Sequence, residues 1–399
     1  MIQMPRIKLY IIYAIIAFLA VTLLLLTTQK RTTIILNNEL SEISIDKLDD
    51  SLIMNNTKLL IDKLKIKPTS LIEWKQRHYI TKYLNNNKKL KIYITYGSWY
   101  TNEDFRRLTY NFDGTLADCD IPCIWKQANY DIASSELETA DALFNVDTSQ
   151  SRKTLREGQK TIKLTIEPKT HCPGCHYGDD LVDIYSSFCE ESDPPTSYVR
   201  DDHEIWRTIQ PFDITKLPPN STLVSFVASH MTEHRKTFIP SLQDHMSVAS
   251  FGYVYQNTPW NHYPECLNLG KFETKNCVVS KYPFYLALES CQEKDYSTEK
   301  LWNTFKVGVV PIIWGAPNVR SYLPHPKSVI FIEDFSDVEE LANYLKYLAK
   351  NETAYLEYHK WKTMKFSDEF EKKSYMSMRN MECNICKEVA RQRILDEWS

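Results

Sequence analysis

Glycine is scarce in this chain. Nine glycines in 399 residues fall well below the usual share of about 7%. There is no Gly-x-Gly-x-x-Gly and no Walker A sequence. A glycine-rich loop that cradles phosphates with bare backbone is therefore excluded. Net charge is also lacking: the formal balance is −3, which gives no argument for binding nucleic acid. No Asp-x-Asp stands beside a strand pattern, and the pairs Asp179-Asp180 and Asp201-Asp202 sit in polar stretches and read as solvated. No site for a divalent metal suggests itself, and neither an internal repeat nor a low-complexity tract is present.

Apolar material is plentiful. A hydrophobic fraction of 43% and 24 tyrosines supply sizeable cores, and 399 residues have room for two domains. Residues 9–28 carry no charge; at about 1.5 Å per residue they would span roughly 30 Å, the thickness of a bilayer core. A cleaved signal peptide has a shorter apolar region of about 7–15 residues and a small-residue cleavage site. None is evident, so an uncleaved signal anchor is expected. Flanking charge gives little orientation, with Arg6 and Lys8 before the span and Lys30 and Arg31 after it. Three glycosylation sequons begin at Asn55, Asn220 and Asn351, and all ten cysteines follow the span. An even cysteine count fits disulfides in an oxidising compartment. The expected layout is a single-pass type II Golgi membrane protein: cytoplasmic tail 1–8, span 9–28, stem 29–70 and a lumenal body.

Within the body, strand and helix patterns alternate. Strands are expected in 91–100, at the end of 138–147 and in 161–167, giving a first lobe over 71–215. Leu217-Pro218-Pro219-Asn220 reads as a linker, because paired prolines stop helices and strands. A second lobe over 216–360 follows. Its strands are expected in 222–229, 247–255, 284–290, the Val-Val-Pro-Ile-Ile-Trp run and 328–334. Helices are expected over 235–246, weakened by Pro240, and over 298–307, ending at Gly308. Ser336 to Glu339 reads as a capping box opening another helix. Residues 361–399 form a C-terminal segment with a Cys-x-x-Cys. Such alternation argues for parallel doubly wound sheets: an α/β protein with two Rossmann-like lobes facing across a cleft.

The most informative stretch is 282–317. Tyr296, Glu299 and Lys300 fall where a loop becomes a helix, and a helix start attracts anions. A lysine there is unfavourable unless an anion such as a diphosphate lies nearby. Arg235 follows the strand ending near Ser229, at a carboxyl edge where α/β folds bind ligands, and a guanidinium grips phosphate oxygens in pairs. Glu167 ends a strand beside Pro168. Cys172-x-x-Cys175 and Cys383-x-x-Cys386 could build a zinc site; disulfides are the stronger reading in a lumenal protein, and their partners do not follow from spacing.

Asp-Tyr-x-Thr-Glu-Lys-Leu-Trp at 295–302, followed by Val-Pro-Ile-Ile-Trp-Gly-Ala-Pro, resembles the donor signature of the α1,3/α1,4-fucosyltransferases, glycosyltransferase family ten. The resemblance covers roughly 90–390. It implies a GT-B type fold and GDP-fucose as donor, held by Ser229, Arg235, Ser290, Tyr296, Glu299 and Lys300. Residues 164–171 resemble the family's Glu-Ser-Pro-Ser-His stretch, and 191–198 its Ser-Asp-x-Pro-x-x-Tyr, which makes Glu167 the implied general base. The expected reaction is inverting transfer of fucose to O3 of a GlcNAc on a glycoprotein glycan or glycolipid, with no essential metal. Two departures stand out: Ser290 replaces the family's Asn after Glu289, and Val254 stands where a Gly-x-Cys cysteine is usual. A non-catalytic glycan- or nucleotide-binding relative and a zinc-binding structural protein are the alternative classes.

Overall fold

The computed structural model describes residues 89–94, 115–116, 119–127, 138–144, 156–170, 182–199, 203–377 and 380–398. The expected span, the stem, Asn55 and the Cys172/Cys175 pair lie outside these residues. Among the described residues no helix is long and apolar enough to cross a membrane.

Two five-stranded sheets form the α/β framework, and every strand pairing is parallel. The first contains β1 (Leu90–Ile94), β2 (Cys123–Gln127), β3 (Ala142–Phe144), β4 (Lys160–Thr165) and β5 (Ile184–Ser187), in the order β2-β1-β3-β4-β5. The second contains β6 (Val224–Phe226), β7 (Val248–Ser250), β8 (Phe284–Leu288), β9 (Val310–Trp314) and β10 (Ile330–Phe331), in the order β10-β9-β8-β6-β7. Counted from each sheet's own first strand, both orders are 2-1-3-4-5. That is a doubly wound order with its crevice between the first and third strands. In the second sheet the crevice lies between β6 and β8.

The helices are α1 (His203–Trp206), α2 (Glu233–His245), α3 (Lys271–Val279), α4 (Glu299–Phe305), α5 (Val338–Leu348), α6 (Glu352–Leu356), α7 (Asp368–Tyr375) and α8 (Met381–Trp398). Strand β8, Phe-Tyr-Leu-Ala-Leu, is buried throughout, as expected for a parallel strand covered on both faces. Phe284, Leu286 and Leu288 pack with Ile239 and Leu242 of α2 and Leu341 and Leu345 of α5. Tyr285 and Ala287 pack on the opposite side with Leu301 and Trp302 of α4 and Phe370 of α7.

Several local expectations are corrected. β2 and β5 carry no clear strand pattern; β5 ends in two serines that are buried because Ser186 Oγ shares a 2.7 Å hydrogen bond with Thr196 Oγ1. Residues 328–334 form only the two-residue β10, followed by a 3-10 turn over Ile332–Asp334. The helix-opening cap is Asp337, which accepts from Glu340 N at 2.8 Å, while Glu340 reaches back to Ser336 N at 2.8 Å. The box is thus one residue further on than Ser336/Glu339. α2 runs through Pro240, and the carbonyl of Lys236, which has no N–H from Pro240, accepts the Tyr255 hydroxyl at 3.1 Å.

The C-terminal helix returns to the first sheet. Met381, Ile385, Val389 and Ala390 of α8 enter one core with Ile92, Trp125 and Ile184. Disulfides Cys119–Cys383 and Cys123–Cys386 close chain separations of 264 and 263 residues. Cross-links over such separations stabilise by about 2–5 kcal/mol each. The Cys383/Cys386 pair therefore bonds to a second Cys pair one residue at a time, which excludes a Cys₄ zinc site there. Cys266–Cys277 ties α3 to the turn before it.

Glu382, at the start of α8, is 3% exposed. Burial pushes its carboxyl up to about 8 from an ordinary 4.5. Between those two values the folded chain keeps a proton that the unfolded chain has released. Stability from this group is therefore full below about 4.5 and lost as pH rises to about 8. Glu382→Gln should leave the melting temperature nearly unchanged at pH 4.5 and raise it by a few degrees at pH 8. A gap between variant and wild type that is the same at both pH values would contradict this.

Candidate active site

The site is built on the turn after β8. Glu289 follows the strand and its backbone N–H donates to Trp314 O at 2.9 Å, which joins it to the end of β9. Its buried carboxylate accepts from Thr298 N at 2.6 Å, Thr298 Oγ1 at 2.9 Å and Lys300 Nζ at 3.2 Å. A Cβ on Gly315 would stand 2.8 Å from Glu289 Cγ, so the glycine after β9 is what lets the two loop ends approach. Thr298 caps α4, and its Oγ1 accepts from Lys300 N at 3.4 Å and Lys300 Nζ at 2.9 Å. The N–H groups of Thr298 and Lys300 thus already have protein acceptors. The anion-attracting feature of this turn is its cationic side chains, more than free N–H groups at the helix start.

Asp295 fixes the middle of the turn. Its φ of +66° is a left-handed conformation, uncommon outside glycine and asparagine. Its carboxylate is buried and ion-pairs with Lys373 of α7 at 3.0 Å. It also accepts from Asn318 Nδ2 at 2.9 Å and from the backbone of Glu190, just beyond β5, at 3.1 Å. Burial works to raise this carboxyl; hydrogen bonding from Asn318 and the Lys373 charge overcome it and hold it below the ordinary value. One carboxylate therefore ties the turn to the first sheet's loop and to α7. Thr170 Oγ1 donating to Glu293 at 3.3 Å, the Lys294–Glu191 pair and the edge-to-face Phe188–Tyr296 contact at 5.1 Å add to the seam.

Around this turn the charged groups converge. Arg235 is 2% exposed. Its guanidinium crosses the β6/β8 crevice, donating to His230 O at 2.7 Å and Leu288 O at 2.5 Å, while its buried Nε has no partner. Glu299 lies 3.6 Å from Lys300 Nζ and 3.8 Å from Lys275 Nζ of α3. Burial works to raise the Glu299 carboxyl, and the two ammonium groups overcome it and hold it at about 2. Burial pulls the Lys300 ammonium down, but Glu289 and Glu299 outweigh it and keep it charged. Ser290 Oγ is buried without a hydrogen-bond partner. Ser229 is exposed at the crevice rim.

Glu167 stands two residues past β4, half-buried. Its charge acts on both the Tyr296 and Tyr198 hydroxyls; burial raises both phenols first, and Glu167, Glu289 and Glu299 add to it. Tyr198 also donates to Ile166 O at 3.3 Å. Glu167 thus lies within electrostatic reach of Tyr296 and Tyr198. Arg235 is buried and Lys300 is partly buried. Asn220 is exposed at a left-handed turn, whereas Asn351 caps α6 and accepts from Ala354 N at 3.0 Å. Four contributors escape a sequence reading: Glu289, Asp295, Lys373 and Lys275. Asp295 lies inside the quoted motif and Glu289 within the stretch 282–317; Lys373 and Lys275 come from helices with no signal near it.

Two doubly wound parallel sheets, with a buried cluster of cations and carboxylates at their seam, define a two-lobed α/β enzyme. Residues 217–397 match the profile of the glycosyltransferase family 10 (fucosyltransferase) C-terminal region. The α-(1,4)-fucosyltransferase of Arabidopsis thaliana is 32% identical over 284 residues, 69% of this chain and 67% of that protein. The human 4-galactosyl-N-acetylglucosaminide 3-α-L-fucosyltransferase is 29% identical over 254 residues, 62% of this chain and 66% of that one. The GDP-fucose protein O-fucosyltransferase 3 of Xenopus laevis is 37% identical over 131 residues, 32% of this chain and 27% of its own length. In fold, the chain is similar to a crystal structure of an α1,3-fucosyltransferase, with a TM-score of 0.51 at 20% identity, covering 75% of this chain and 90% of the other. The chain belongs to glycosyltransferase family 10, the fucosyltransferases, and is an enzyme of that class.

Removing one partner of a buried ion pair costs about 3–5 kcal/mol. Lys373→Ala and Asp295→Ala should each lower the unfolding free energy by about that much, read from urea melts. The double variant should cost clearly less than the two losses combined, because the pair is lost only once. Strict additivity would show that the pair does not hold the turn.

Proposed function

We propose that this enzyme transfers L-fucose from GDP-β-L-fucose to O3 of a GlcNAc in a glycan, with inversion at the anomeric carbon. The observation that carries the reading is the convergence of Arg235, Lys275 and Lys300 at the β6/β8 crevice, with Glu167 on the facing bank. The relatives support the donor and the linkage: one group is named for GDP-fucose, others for α1,3 and α1,4 transfer.

In this reading the diphosphate lies against Lys300 and Arg235. Tyr296, Ser290 and Ser229 position the donor, with Glu299 beside the fucose. A carboxylate near the oxocarbenium-like centre stabilises its developing charge. The Glu167 carboxylate takes the proton from the acceptor hydroxyl as that oxygen attacks the anomeric carbon. The bond from the anomeric carbon to the β-phosphate oxygen breaks, and GDP leaves with the electron pair. The cations stabilise the departing diphosphate, so no divalent metal is required. The 37% identity to a protein O-fucosyltransferase over 131 residues favours testing folded protein acceptors as well.

The test incubates full-length protein in detergent with GDP-fucose and an array of Gal-GlcNAc antennae, N-glycan cores and folded protein domains, with EDTA present. Wild type should fucosylate a GlcNAc-bearing acceptor, and Glu167→Gln should lose at least 100-fold in kcat, in line with the loss of a general base, while still binding GDP. Equal activity in the variant would remove Glu167 from the mechanism. Abolition by EDTA, restored by a divalent ion, would overturn the metal-independent reading.

We also place the chain in the Golgi membrane as a type II protein, on the uncharged run 9–28 and the sequons that follow it. Expressed in cells, it should lose apparent mass on treatment with peptide N-glycosidase, and Asn220→Gln should remove part of that shift. A chain insensitive to the glycosidase, and cleaved by protease added to the cytosolic side of intact vesicles, would contradict this topology.

A further inference from the structure

Lys275 is absent from the sequence reading of the site, yet it reaches it from an element outside the donor turn. Its side chain is only 13% exposed, its Nζ is 3.8 Å from Glu299 Oε1, and it lies 5.4 Å from the Tyr285 ring centroid. The helix that carries it is held in place. Cys277, two residues on, is bonded to Cys266, and Val278 packs with Phe251, Cys266 and Tyr282. A lysine on such a helix is delivered to a fixed position.

Its charge is not needed to balance its neighbours on the second sheet's side. The charged groups that face one another there are Arg235, Lys275, Lys300, Glu289 and Glu299. Three are positive and two negative. Lys300 already contacts both carboxylates, at 3.2 Å and 3.6 Å. Counted without Glu167, which belongs to the first sheet's side, these groups would balance if Lys275 were absent. With it, they hold a partly buried positive charge in excess, an arrangement that costs stability unless something neutralises it. Burial accordingly pulls the Lys275 ammonium down, Lys300 and Arg235 pull in the same direction, and Glu299 and Glu289 oppose them.

We infer that Lys275 is a positioning residue of the donor site: it holds the Glu299 carboxylate from α3 and supplies the excess positive charge that a nucleoside diphosphate neutralises. The inference rests on the proposed donor reading, because it needs a diphosphate in the crevice. It adds a residue and an element, α3 with its disulfide, to the donor turn.

The experiment compares full-length wild type, Lys275→Met and Lys275→Arg. GDP and GMP affinities are measured by calorimetry, melting temperatures without ligand, and kcat and KM with GDP-fucose. Wild type should bind GDP. Lys275→Met should hold or raise the melting temperature, because it removes an excess buried charge, yet weaken GDP at least tenfold, weaken GMP less, and raise KM for GDP-fucose more than it lowers kcat. Lys275→Arg should recover most of the GDP affinity. GDP binding equal to wild type in Lys275→Met would overturn the inference. So would a fall in melting temperature together with equal losses for GDP and GMP, which is the mark of a purely structural lysine. Failure of the wild type itself to bind GDP would instead overturn the donor reading.

Discussion

The buried carboxylate of Asp295 is the contact on which the site depends. It sits in a turn whose backbone is left-handed at that residue, and it is held by Lys373, Asn318 and the backbone of Glu190. Those partners come from α7, from the segment after β9 and from the loop after β5. A single group thus brings three parts of the chain to the place where Tyr296, Glu299 and Lys300 begin. A charge so deeply buried is tolerable only with such partners, so the turn has little freedom to take another shape. The charged side chains that follow inherit that rigidity.

What the turn presents is a cluster of paired cations and carboxylates. Glu289 and Glu299 keep Lys300 charged, and Lys300 with Lys275 keeps Glu299 ionised across the whole physiological range. Arg235 spans the crevice between β6 and β8 with its Nε still unpartnered. Preorganised charge of this kind stabilises a leaving group without reorganising during the reaction. Glu167 stands just past the end of β4, a strand of the other sheet. In the proposed reaction the second sheet would handle the leaving group and the first would supply the base.

Much of this was legible in the amino-acid sequence, for physical reasons that differ by element. The buried strands of the second sheet are runs such as Phe-Tyr-Leu-Ala-Leu, whose composition leaves little else for them to be. Tyr296, Glu299 and Lys300 lie within one motif and could be placed on a helix start by spacing alone. β5 was not legible, because its two serines are buried by pairing with Thr196 and Ser192, contacts no local pattern signals. The role of the helix start was misjudged: Glu289, ten residues earlier than Glu299, takes the N–H of Thr298. Lys275 and Lys373 were illegible because each reaches the site from a helix distant in sequence. The cysteines were readable as disulfides but not as pairs, since Cys119 and Cys123 find partners more than 260 residues away.

The most direct measurement is a crystal structure of the protein with GDP bound. The account predicts the diphosphate at the carboxyl edge of the second sheet, with Lys300 and Arg235 within hydrogen-bond reach of its oxygens and Lys275 on the same side. Glu167 should face the β-phosphate across the cleft. GDP bound at the first sheet, or at the second with Lys300 still paired only to Glu289 and Glu299, would contradict it.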